Sequence, residues 1–226
     1  MKMSPTDIVD AVLPDVIEWQ RHIHRTPELG FQEKRTSRFV AERLQAFGIE
    51  VHRDVSETAV VGVLKRGDSN RHLMFRAELD ALPVQEATDL QHRSRADGVM
   101  HACGHDAHTA MLLGAAKLLS ESSDFDGTIY FVFQPAEEVH GGGKKMVSDG
   151  LLDHFPAEKV FSLHSWPSVK EGAVIVTEGP IMAGVDGFTL TFQGNGAHAA
   201  MPERGDDPVL AAAEFLLSAQ RIVSRT

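Results

Sequence analysis

Between Thr6 and His24 the apolar residues Ile8, Val9, Val12, Leu13, Val16 and Ile17 recur at three- and four-residue spacing. That period predicts a helix, with Pro14 as a kink. Lys34 to Phe47 repeats it, and Gly48 predicts its stop. The period then shortens. Ala59 to Leu64 is β-branched, and it and His72 to Arg76 read as strands separated by the turn-like run Arg66-Gly-Asp-Ser-Asn70. Ala107 to Ser120, rich in alanine and leucine, predicts a helix, and Thr128 to Phe133 a strand. A short helix is expected over Lys144 to Asp149, ended by Gly150, and a strand over Lys159 to Leu163. Strands alternating with helices predict an α/β domain built on a mixed, largely parallel sheet flanked by helices.

Past Gly179-Pro180 the character changes. Gly187 to Gln193 alternates as a half-buried strand does. Asp206-Asp-Pro opens an alanine-rich helix running to the chain end, with Asp206 or Asp207 as N-cap and Pro208 in the first turn. One strand and one helix cannot bury a core. The expected division is therefore a domain over residues 1–182 and, over 183–226, the beginning of a second α+β domain that reads as incomplete.

Composition narrows the function without naming it. The 226 residues are 42% hydrophobic and 24% charged, ordinary for a globular protein. A formal charge of −10 argues against a nucleic-acid partner or an anionic membrane surface, which would require a basic face. No apolar run is long enough to span a bilayer. The N-terminus lacks the apolar core of a secretion signal, so a cytoplasmic protein is the expectation. The single cysteine, Cys103, cannot form an internal disulfide.

Candidate chemistry gathers where predicted strands end. Arg76-Ala-Glu-Leu-Asp80 follows one strand, Gln134-Pro-Ala-Glu-Glu138 another, and His164 a third. Met100-His-Ala-Cys-Gly-His-Asp-Ala-His108 precedes a helix, with Cys103 and His105 in the turn before it. In open α/β sheets, sites assemble at the carboxyl ends of strands. Glu137 and Glu138 would face opposite ways within a strand, but Pro135 predicts that the strand has ended. In a loop, one carboxylate can bind a metal while the other stays free as a base. Cys103 and His105, two apart, cannot share a helix face and require the turn at Gly104. Thiolate, imidazole and carboxylate together suit zinc or another borderline divalent ion better than magnesium or calcium. Individually each residue has a bland reading: an inert thiol, a solvated glutamate pair, an aspartate capping a turn. His101 and His108 read as supporting histidines. Gly141-Gly-Gly143 before Lys144 lacks the spacing and the final Ser/Thr of a phosphate loop.

Arg76-Ala-Glu-Leu-Asp-Ala-Leu-Pro83, the segment from Met100 to His108, Phe133-Gln-Pro-Ala-Glu-Glu138, Leu163-His164 and Gly194-Asn-Gly-Ala-His-Ala-Ala-Met-Pro202 together resemble the M20 metallopeptidase family. The resemblance is closest to its amidohydrolase branch of hippurate hydrolases, N-acyl-amino-acid amidohydrolases and auxin-conjugate hydrolases. It implies a zinc-exopeptidase-like catalytic domain followed by the start of an inserted lid. It also implies two divalent ions (zinc, manganese, cobalt or nickel) with Cys103, His105, Glu138 and His164 among the ligands. Glu137 would be general base and acid, Asp80 would orient the site, and His198 of the lid would steady the substrate. The implied reaction is hydrolysis of the amide bond of a small N-acyl amino acid. A homodimer is allowed for a complete chain. Two departures stand out: Glu78 occupies a position usually held by aspartate, and the family's further C-terminal histidine ligand has no counterpart before Thr226. That second departure raises the alternative of a truncated, weakly active or inactive member. Cysteine nucleophile catalysis at Cys103 is a third reading, which leaves Glu137 and Glu138 without a task.

Overall fold

A computed structural model of the chain describes residues 5–121, 125–138, 141–182, 184 and 187–222. They divide into two compact units, residues 1–169 and 170–226. The first opens with helices α1 (Pro5–Arg25) and α2 (Lys34–Ala46), then strands β1 (Glu50–His52), β2 (Val60–Arg66) and β3 (His72–Glu78). Helix α3 (His105–Glu121), strand β4 (Gly127–Gln134), short helices α4 (Gly142–Ser148) and α5 (Leu151–His154), and strand β5 (Lys159–Ser162) complete it.

The strands form one mixed sheet in the order β1-β2-β4-β3-β5. Pairings β1–β2 and β2–β4 are antiparallel, while β4–β3 and β3–β5 are parallel. The turn-like run after β2 does not make a hairpin, because β4 lies between β2 and β3. All eight residues of β4 are buried, as befits a central strand covered on both faces. Its alternation divides two cores. Ile129, Phe131 and Phe133 pack with Trp19 of α1, Val40 and Leu44 of α2, and Ala110, Leu113 and Ala116 of α3. Tyr130 and Val132 face the other layer, with Met146, Leu151 and Phe155. At an edge of the sheet, β5 is exposed along its length.

Helix α1 runs through Pro14. Its buried stripe is Val12, Trp19 and Ile23, with Val16 partly buried, whereas Ile8, Val9, Leu13 and Ile17 stay exposed. The helix therefore docks through its C-terminal half. A Cβ on Gly114 would lie 2.6 Å from Val16 Cγ2, so α1 and α3 approach closely because that glycine has no side chain. Helix α3 begins at His105, two residues before the expected start, since the left-handed turn at Gly104 (φ 85°) immediately precedes it.

The second unit contains a 3₁₀ turn, Pro202–Arg204, and helix α6 (Pro208–Ala219). Asp207 caps α6 by accepting from the Val209 N–H at 2.9 Å, and Pro208 occupies the first turn. The expected half-buried strand over 187–193 is corrected here: the described residues of this stretch are exposed and pair with no strand. Its alternation nevertheless has an effect, because Phe188 and Phe192 both approach the ring of Phe215 on α6, at 6.2 and 6.1 Å. Without a neighbouring strand, one-sided apolar residues cannot build a ladder. Among the described residues no helix is long and apolar enough to cross a membrane.

Candidate metal centre

Parallel strands β3, β4 and β5 run in register, Glu78 beside Gln134 and Arg76 beside Ser162. The chain leaves all three at the same sheet edge. Asp80, Glu137, Glu138 and His164 are delivered there, and the first residue of α3, His105, meets them.

His105 is the hub, fully buried. Its Nδ1–H donates to the Asp80 backbone carbonyl at 2.9 Å, with Asp80 Oδ1 at 3.3 Å. That leaves Nε2 as the free ring nitrogen, 4.0 Å from both Glu137 Oε2 and Glu138 Oε1. His105 Nε2 and Glu138 Oε1 are buried and have no hydrogen-bond partner among the described residues. A buried imidazole nitrogen and a buried carboxylate oxygen left unsatisfied cost free energy unless something lies between them. Ligand bonds to a zinc-like ion are about 2.0–2.2 Å, so a 4.0 Å gap is one that a single small cation can bridge.

The two glutamates differ in access. The Glu138 side chain is 20% exposed and the Glu137 side chain 39%. Their loop is pinned from several sides. Asp80 Oδ2 accepts from the Glu138 N–H at 3.0 Å, and Ala136 holds a left-handed φ of 50°. The Gly142 N–H donates to the Ala136 carbonyl at 2.9 Å. Asp80 therefore fixes both the ring of His105 and the backbone of Glu138. Burial raises the Asp80 pKa, but the His105 bond and the Glu137 and Glu138 N–H groups outweigh it and hold the carboxyl below its ordinary value.

Cys103 Sγ lies 3.4 Å from His164 Nε2, and these two with His105 form one cluster of possible ligands. His105, Glu137 and Glu138 form another, sharing His105. Burial and the nearby Glu138, Glu137 and Glu78 push the Cys103 thiol up to about 12. Against burial, Asp80 and Glu78 raise His105. A thiol, two imidazoles and several carboxylates at such negative potential match the demands of a divalent cation, which would draw the proton from sulfur.

His108 is buried and fully engaged. Its Nδ1–H donates to Glu78 Oε2 at 3.0 Å, and its Nε2 accepts from the Ser165 N–H at 3.0 Å. It thereby braces the residue following His164. Glu78 also pairs with Arg76, whose Nε donates to Gln134 Oε1 at 2.9 Å. Burial raises the Glu78 pKa, yet His108 and Arg76 hold it below its usual value. Glu78, His105 and His108 make a third, wholly buried group of possible ligands. His101 is buried with both ring nitrogens unpartnered among the described residues, and burial lowers its pKa to about 4, so it is neutral. His198 lies in the second unit, exposed, with its Nδ1 accepting from the Ala200 N–H at 3.2 Å.

Sequence reasoning missed three supports. Glu33, fully buried, accepts from the Ala136 N–H at 2.9 Å. His24 joins Asp106 Oδ2 at 2.8 Å to Glu86 at 3.3 Å, linking α1 to the start of α3. Ser165 carries the backbone bond that connects His108 to the His164 segment. An acidic residue before a helix and a histidine near a helix end carry no sequence signal that separates them from surface residues.

Residues 74–225 match the model of peptidase family M20/M25/M40. The hippurate hydrolase of Campylobacter jejuni is 43% identical over 95% of this chain and 57% of its own length. The N-acyl-L-amino acid amidohydrolase of Geobacillus stearothermophilus is 43% identical over 96% of this chain and 59% of its own. The crystal structure of the Bacillus subtilis YXEP protein, described as a dinuclear metal binding peptidase from the M20 family, aligns with a TM-score of 0.72. It is 38% identical, and the alignment covers 76% of this chain and 48% of that one. The chain thus spans somewhat more than half the length of these curated relatives. With a matching family model over most of its residues, the chain belongs to peptidase family M20/M25/M40.

Proposed function

We propose that this protein is a metal-dependent amidohydrolase acting on small N-acyl amino acids. The observation that carries the reading is the unsatisfied pair of His105 Nε2 and Glu138 Oε1, buried beside Cys103 and His164. Cys103, His105, Glu138 and His164 would hold two divalent cations of the zinc, manganese, cobalt or nickel type. Bound there, such ions supply Lewis acidity and a water acidic enough to react near neutral pH. Glu137, the more open carboxylate, takes the proton from the attacking water and passes it to the leaving amine. Asp80 keeps the His105 proton on Nδ1, so that Nε2 presents its lone pair. His198, in the unit over 170–226, contributes to the substrate's carboxylate or the developing oxyanion. Residues 1–182 form the catalytic part and 183–226 begin the lid. A homodimer is compatible with a complete chain, and a cytoplasmic location with the lone cysteine. The hydrolase names of the relatives support the substrate class.

The test is metal content together with hydrolysis. Purified protein should contain stoichiometric divalent metal by elemental analysis and release amino acid from N-benzoyl or N-acetyl substrates in a chelator-sensitive manner. Protein free of metal after exposure to zinc, manganese, cobalt and nickel refutes the reading. Hydrolysis that survives chelation but stops on thiol alkylation moves the chemistry to Cys103 as nucleophile. Metal bound without turnover refutes the assigned activity and favours a weak or inactive member.

A further inference from the structure

Glu33 is out of place by ordinary rules. It is fully buried, it immediately precedes α2, and its side chain makes no cap to that helix. Among the described residues no cation is paired with it. Its carboxylate instead collects donors: the Thr58 hydroxyl at 2.5 Å on Oε2, the Ala136 N–H at 2.9 Å on Oε1, and the backbone N–H groups of Phe31 and of Glu33 itself. Burial pushes the Glu33 pKa up, and these donors act against that push. Four donors converge on its carboxyl oxygens, which suits an acceptor group.

The long-range member of this set is Ala136, 103 residues away and itself fully buried. Its φ of 50° lies in the left-handed region that L-residues other than glycine seldom occupy. Such a conformation persists where its surroundings over-determine it. Here the Ala136 N–H is held by Glu33, its carbonyl by the Gly142 N–H, and the residues after it by Asp80. The left-handed residue turns the chain just before the two glutamates, which then diverge into one half-buried and one open carboxylate, each 4.0 Å from His105 Nε2.

We propose that Glu33 is a positioning residue, holding Ala136 left-handed so that Glu137 and Glu138 are set apart in role and aimed together at His105. The inference rests on the metal-hydrolase reading above for its consequence, but its geometric part does not. It predicts that Glu33→Ala weakens binding of Co²⁺ by about 10–100-fold, the range usual for residues that orient ligands. Glu33→Gln, which retains the oxygen facing Ala136 while Thr58 can turn to accept, should stay within about threefold of wild type. The discriminating variant is Glu33→Ala combined with Ala136→Gly. Glycine adopts positive φ without assistance, so the double variant should recover most of the lost affinity.

Each variant is titrated with Co²⁺ by chelator competition, and exchange of the Ala136 amide hydrogen is followed by NMR in the metal-free protein. Glu33→Ala should speed that exchange at least about tenfold relative to neighbouring core amides. Unchanged Co²⁺ affinity with Ala136 still protected overturns the proposal. So does a loss that Ala136→Gly leaves unrepaired, since that marks Glu33 as a general support of the fold. If Glu33→Ala does not fold, Glu33→Asp replaces it, keeping an acceptor-only group but withdrawing it by one methylene. If the wild type takes up no Co²⁺, the metal reading fails, and Ala136 exchange alone decides the role of Glu33: acceleration supports it and invariance overturns it.

Discussion

Replacing Asp80 by asparagine changes almost no volume and probes two contacts at once. Asp80 Oδ2 accepts from the Glu138 N–H at 3.0 Å, while Oδ1 lies 3.3 Å from His105 Nδ1. An amide offers one oxygen and one donor in their place. With its oxygen on the Glu138 N–H, its NH₂ meets His105 Nδ1. The backbone carbonyl of residue 80 still accepts from Nδ1–H, but the amide hydrogens now oppose that proton where the carboxylate attracted it. With its oxygen on His105, two N–H groups oppose each other at Glu138. Either arrangement removes the carboxylate charge and sets N–H groups against each other, about 1.5–3 kcal/mol. Converted to affinity, this is about 10–100-fold weaker metal binding. Co²⁺ competition against a chelator at pH 7 measures it, and denaturant unfolding of the metal-free protein measures the cost to the fold.

The pH dependence gives a second reading of the same variant. The Asp80 carboxyl is held below its ordinary value, so its stabilisation is present above the unfolded pKa near 3.8. It is lost as pH falls through the lower, folded value. The stability gap between wild type and Asp80→Asn should therefore be full at pH 7 and close under strongly acidic conditions. Wild-type Co²⁺ affinity in Asp80→Asn, with an intact fold, would refute the argument that the Asp80 carboxylate orients His105 and Glu138.

Two further substitutions test the supports around the site. Asp106, and against burial Glu86, hold His24 protonated to higher pH than usual, and His24 helps hold Asp106 below its usual value. The His24 contribution is complete below the unfolded histidine pKa of 6.5 and declines as pH rises through the higher folded value, while the Asp106 contribution is present above 3.8. His24→Leu should accordingly cost about 1.5–3 kcal/mol at pH 5 and less at pH 9, by urea unfolding; a cost that grows with pH would contradict this. Gly142→Ala places a Cβ 1.8 Å from the Pro135 carbonyl oxygen, whereas one on Gly141 meets nothing within 4 Å. The former should destabilise by about 1–3 kcal/mol and weaken Co²⁺ binding by displacing the glutamate loop. Gly141→Ala should cost only the strain of its positive φ, about 1–2 kcal/mol, with Co²⁺ affinity unchanged. Equal metal affinities in the two variants would refute the steric argument.

Much of this was legible in the sequence because burial and period are local properties. The continuous apolar run of β4, the alanine-leucine pattern of α3 and the Asp207-Pro208 start of α6 each require only neighbouring residues to be recognised. The gathering of Asp80, Cys103, His105, Glu137, Glu138 and His164 was legible for a related reason: polar groups that follow strands of a parallel set share one edge. What was not legible depends on partners remote in sequence. Strand β1, three residues long, exists because β2 pairs with it. The alternation at 187–193 promises a strand and delivers none, since the described residues provide no ladder partner.

The difference between Glu137 and Glu138 belongs to the same class. As adjacent identical residues they are indistinguishable by composition, propensity or charge. Their exposures separate because Ala136 turns left-handed before them, and Ala136 does so beneath a carboxylate 103 positions away. Glu33 in turn reads from sequence as an unremarkable acid ahead of a helix, the place where a negative charge favours the helix dipole. The structure buries it instead, and the first-turn N–H groups of α2, at Arg35 and Thr36, are accepted by the Glu28 carboxylate. Forgoing that favourable placement while burying a carboxylate is costly. It makes sense where the backbone it restrains sets the geometry of two further carboxylates, and this is why Ala136→Gly, rather than any change at the glutamates themselves, is the substitution that separates positioning from simple support.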